Sequence, residues 1–66
     1  MNEIQQHILQ HFRGGQFDAD KRLDDQLSVF NQRCIVGMVE TGEATLDDLR
    51  GISDELAARI AKRLDD

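Results

Sequence analysis

The chain has no proline, a single cysteine and no long apolar run. With Cys34 alone, no disulfide can form within the chain, which fits a reducing compartment better than a secreted setting. No stretch approaches the roughly 20 apolar residues that a membrane-spanning helix requires. The first residues, MNEIQQHILQHFRGG, lack the apolar core of a signal peptide. These absences lead us to expect a cytoplasmic protein that stays out of membranes. Also missing are a phosphate-cradling glycine loop, a nucleophile elbow and the H-E-x-x-H zinc arrangement. A chain this short rarely encloses a pocket, so we expect neither an enzyme nor a cofactor. Basic charge is scarce as well: 8 Lys+Arg face 13 Asp+Glu, a net charge of −5. Phosphate neutralisation supplies much of the affinity of nucleic-acid binders, so this balance disfavours that class.

What remains is rich in Leu, Ala, Gln, Glu, Arg and Lys, all helix formers. The 66 residues make one small domain, 1–66, which we expect to be all-α with three to four helices. A first helix is expected over about 2–13, with Ile4, Ile8 and Phe12 on one stripe and Leu9 beside them. Gly14-Gly15 should end it. Asp18 is a good N-cap, so a long central second helix is expected over about 19–40. On it Leu23, Leu27, Phe30, Cys34 and Met38 form a near-heptad seam. Residues 34–39 are apolar on every side, and a helix of that kind must be covered all round. Gly37 inside it costs about 1 kcal/mol relative to Ala. Two readings of it stand side by side: a site where another backbone comes close, or a tolerated irregularity near the helix end. A core this small is marginal, because a 60-residue chain buries only about 60% of its unfolded surface. We therefore expect a homodimer, with Leu27, Phe30, Cys34, Ile35 and Met38 as the interface to a second copy or another protein.

Thr45 opens a capping box with Asp48, which predicts a short third helix over 46–50. Gly51 closes it. Ser53 then caps a fourth helix over 54–64, with Asp54 and Glu55 in its positive first turn and Lys62 and Arg63 near its end. Leu49, Gly51, Ile52, Ala57 and Ile60 repeat the skeleton of a helix-hairpin-helix motif. Residues 45–64 thus resemble a degenerate member of that DNA-binding family. In the family, two short helices join through a Gly-hydrophobic-Gly hairpin whose backbone approaches a phosphate. The resemblance implies nucleic-acid binding through Gly51, Ser53, Arg59, Lys62 and Arg63. Two departures oppose it. Ser53 replaces the second glycine, and the carboxylates of Asp54 and Glu55 stand where a phosphate would approach.

Glu3, His7 and His11 stand four apart on the first helix, a spacing that can chelate zinc. No cysteine is near to complete a site, so a solvated polar face is the expected reading. Cys34 has no base predicted beside it and should be an inert thiol. The acidic pairs read as caps and solvated faces. The function this supports is a small acidic protein–protein interaction module, regulatory, adaptor or inhibitor in kind. Nucleic-acid binding is the alternative.

Overall fold

A computed structural model describes all 66 residues, Met1–Asp66. It contains α-helices and no strand. The helices are α1 (Glu3–Leu9), α2 (Leu23–Gln26), α3 (Val29–Glu40), α4 (Leu46–Arg50) and α5 (Asp54–Leu64), with a 3-10 turn at Arg13–Gly15. That is five helices rather than three or four. No helix is long and apolar enough to cross a membrane.

Local chemistry starts most of these helices. Asn2 caps α1 by accepting from the Gln5 N–H at 2.8 Å, while the Gln5 side chain accepts from the Asn2 N–H at 3.0 Å. Thr45 and Asp48 make the same reciprocal pair on α4. Ser53 caps α5 by accepting from the Leu56 N–H. Each cap satisfies backbone donors that a helix start would otherwise leave open.

The first helix is shorter than the expected 2–13. Past Leu9 the chain tightens into bonds from His11 to Ile8 and from Phe12 to Leu9, and then into the 3-10 turn. Gly14 and Gly15 both take φ +71°, a left-handed conformation that glycine adopts at little steric cost. Phe12 still reaches the core.

The long second helix does not exist as one piece, and this is the main correction. Asp18 caps only a turn, with its carboxylate accepting from the Asp20 N–H. The loop before α2 is held instead by the buried side chain of Gln26, which bonds both backbone groups of Asp18 and the Lys21 carbonyl. After one turn of α2 the chain breaks. Leu27 is extended (φ −139°, ψ 106°), and Ser28 caps a new helix by accepting from the Asn31 N–H. The break changes which residues face inward. A continuous helix would bury Leu23, Leu27, Phe30, Cys34 and Met38. The broken one buries Leu23, Gln26 and Leu27 on α2 and at its end, then Gln32, Ile35 and Met38 on α3. Gln32 turns in and Phe30 turns out.

The core gathers Ile8, Phe12, Leu23, Leu27, Ile35, Met38, Ala44, Leu49, Leu56, Ala57 and Ile60. Every helix contributes to it. Phe12 and Phe17 meet edge to face with centroids 6.0 Å apart. α4 and α5 form a tight hairpin, and α5 packs along α3 while α1 closes over α4. The radius of gyration, 10.5 Å, matches the roughly 11 Å of a fully compact chain of this length. No buried side-chain nitrogen or oxygen is left without a hydrogen-bond partner.

Candidate functional site

The five residues expected at an interface are divided by the helix break. Leu27, Ile35 and Met38 are 1%, 0% and 7% exposed and belong to the chain's own core. In a single copy they are covered by the chain's own core rather than presented as a seam. Cys34 is half-buried with a free thiol. Phe30 is 74% exposed and Val29 beside it 48%. Burying a Phe side chain is worth about 1.5–3 kcal/mol, so this ring leaves a large apolar surface unused. The outward face of α3 continues through Arg33, Gly37 and Glu40. A Cβ built on Gly37 would meet nothing within 4 Å, so the helix is flat and open there.

The cations of α5 are engaged. Arg59 donates to the Asp24 carboxylate at 2.5 Å, and Arg63 Nε donates to Gln32 Oε1 at 2.8 Å. Gln32 is wholly buried, and its Nε2 donates to Asp24 Oδ1 at 2.8 Å and to the Leu27 carbonyl at 2.9 Å. That last bond satisfies the backbone oxygen the helix break would otherwise strand. The result is a network that ties α5 to the α2–α3 junction. The Gln32 amide, and after it the Arg59 guanidinium, hold the Asp24 carboxyl below its ordinary pKa of 3.8. Gln32 belongs to no motif in the sequence. A polar residue at a position in phase with Ile35 and Met38 was the available signal. Arg59, Lys62, Arg63 and Asp66 do share a polar recess of about 280 Å³. Two of its three cations already have partners, and Asp66 adds a negative charge.

The hairpin glycine serves a contact within the chain. Gly51 has an ordinary right-handed conformation (φ −64°), and a Cβ there would collide with Gln5 Nε2. The Gln5 amide crosses from α1 to donate to the Asp48 carbonyl at 3.1 Å. Ser53 Oγ is used by the Leu56 N–H. The two positions that the helix-hairpin-helix resemblance assigns to a phosphate are thus a packing contact and a cap. Asp48 is likewise held below 3.8, first by the Thr45 backbone N–H and then by the Asn2 side chain.

Glu3 and His7 line a shallow cleft of about 120 Å³ with Ile4, Met38 and Glu43. His11 turns aside: its Nδ1 lies 3.2 Å from the His7 carbonyl, and the two rings meet edge to face at 5.5 Å. Glu3, His7 and His11 do not converge into a group that could hold a metal ion. Comparison with protein-family models, with curated proteins and with solved structures found no match, so a functional reading of the chain rests on these surfaces.

Proposed function

We propose that this chain is a small acidic helical protein–protein interaction module, a regulatory, adaptor or inhibitor protein that docks through the outward face of α3. The observation that carries the reading is Phe30, an aromatic ring 74% exposed on a helix that turns Ile35 and Met38 into the core. Scattered exposed apolar residues are ordinary. Here the ring adjoins a half-exposed Val29, with Cys34 and the open Gly37 further along the same helix. Aromatic residues set in such surfaces are the usual anchors of protein interfaces.

A photo-crosslinking phenylalanine analogue placed at position 30 tests this. It should capture a defined protein, while the same group at exposed Asp20 should not. In a direct binding measurement between that protein and the chain without the crosslinker, Phe30→Ser should abolish binding yet change folding stability by less than about 0.5 kcal/mol. Equal capture from both positions defeats the proposal.

Nucleic-acid binding through Gly51, Ser53, Arg59, Lys62 and Arg63 is the weaker reading. The shared recess on α5 favours it, but Lys62 is the one cation there without a partner in the chain. It would require salt-dependent binding to DNA or RNA that Lys62→Glu removes.

A further inference from the structure

We propose that the occupant of this face is a second copy of the same chain, its α3 laid antiparallel on the first. The proposal rests on the docking role of α3 argued above and adds the partner and the register. It draws first on charge. Arg33 and Glu40 are both exposed on the outward face, and neither has an ion-pair partner within the chain. They are seven residues apart, about 10.5 Å along the axis, and so lie on nearly the same line of the helix. An antiparallel copy whose twofold axis passes between Val36 and Gly37 sets Arg33 against Glu40 of the partner subunit. By symmetry it sets Glu40 against Arg33 of the partner subunit. A parallel copy in register would instead set like charges together.

Gly37 supplies the second argument. It sits inside α3, where glycine weakens a helix relative to alanine. Nothing within the chain calls for glycine there, because its φ is not positive and a side chain would have open space. At the twofold axis of the antiparallel pair its role becomes clear: a helix with no Cβ at the crossing lets the second backbone approach closely. The third argument is Phe30, one heptad before Gly37 on the same face. In this register Phe30 stands opposite positions 42–43 of the partner subunit, the turn that follows the opposing helix. Gly42 has nothing within 4 Å of where a Cβ would stand. The apolar ring, the glycine crossing and the charge pair therefore all fit one arrangement.

A contact built on one helix of 12 residues is smaller than the roughly 800 Å² per partner of a standard stable interface. The dimer is accordingly weak and reversible. Sedimentation velocity on the full chain, from roughly 10 μM to 1 mM, should show a monomer–dimer equilibrium in the range a small interface implies. Arg33→Glu and Glu40→Arg should each weaken dimerisation by roughly three- to tenfold. Combined, they should restore it to within about twofold of the original. Gly37→Ala should raise the melting midpoint at low concentration by roughly 4–8 °C and still weaken the dimer. A glycine with no interface role would raise the midpoint alone. A monomer throughout the range, or a double charge swap without recovery, overturns the proposal. If the chain stays monomeric while position 30 still crosslinks a different protein, self-pairing falls and the docking face stands. If both fail, both readings fall.

Discussion

Two places in this molecule solve one problem in different ways. At the α4–α5 hairpin and at the α2–α3 junction, two helices meet at a break of two or three residues. The hairpin is organised locally. Thr45 with Asp48, and Ser53 with Leu56, act across three residues. The junction is organised from a distance. Ser28 caps α3, but the freed Leu27 carbonyl is held by Gln32, which is held in turn by Asp24 and Arg63, with Arg59 on Asp24. Arg63 lies 31 residues from Gln32 along the chain. The hairpin's caps therefore need no distant partner, while the junction's network requires α5 to be in place.

The largest test of this contrast removes the hairpin's core. Leu56→Ala should cost about 2–5 kcal/mol, enough to unfold much of a domain whose total stability is of order 5 kcal/mol; a denaturant titration reads it. Gln32→Ala should cost about 1–3 kcal/mol, because it leaves the buried Leu27 carbonyl unsatisfied. Combined with Arg63→Ala, its effect should be strongly non-additive in a double-mutant cycle, whereas Leu56→Ala and Gln32→Ala should come closer to adding. The caps follow at about 1 kcal/mol for Ser53→Ala or Ser28→Ala. Hydrogen exchange should then separate them. The Ser53 variant should loosen the hairpin alone, while the Ser28 variant should also loosen the contact between α5 and the junction.

Acid gives the smallest and sharpest comparison. Asp24 in the junction and Asp48 in the hairpin both have folded pKa values lowered from 3.8. Their stabilisation is therefore complete above the ordinary carboxylate range and is lost as pH falls through the lowered values. Asp24→Asn should flatten the acid loss of the junction and leave that of the hairpin, and Asp48→Asn should do the reverse. Site-resolved NMR titration between about pH 5 and pH 2 checks the sign.

The same contrast explains what the sequence disclosed. The all-helical character and the starts of α4 and α5 were legible because Thr45, Asp48 and Ser53 act on their own neighbours. The break at Leu27 was not, because a near-perfect seam of Leu23, Leu27, Phe30, Cys34 and Met38 ran straight through it. Ser28 and Asn31 were a faint local signal. The deciding interaction, Gln32 with residues of α2 and α5, exists only once the tertiary structure forms. A continuous helix through residue 27 puts Leu27, Phe30 and Met38 on one seam and hides the outward turn of Phe30. The candidate site is therefore half legible in the sequence: Phe30, Cys34 and Gly37 stand out there, but the stripe Arg33, Gly37, Glu40 shows only once the inward face of α3 is known. Gly51 shows a different gap. Its place in a motif skeleton was plain, while the Gln5 amide that packs against it lies 46 positions away in the chain.

Asn2 and Gln5 cap α1, Thr45 and Asp48 cap α4, and the two caps are bridged. Asn2 Nδ2 donates to Asp48 Oδ1 at 3.3 Å, and Gln5 Nε2 to the Asp48 carbonyl at 3.1 Å. The consequence lies in fraying. Chain termini ordinarily open independently of the interior, with little free-energy cost. Here opening the first turn of α1 also breaks both bonds to Asp48, so fraying of the amino terminus costs contacts with the hairpin that an untethered end would not lose.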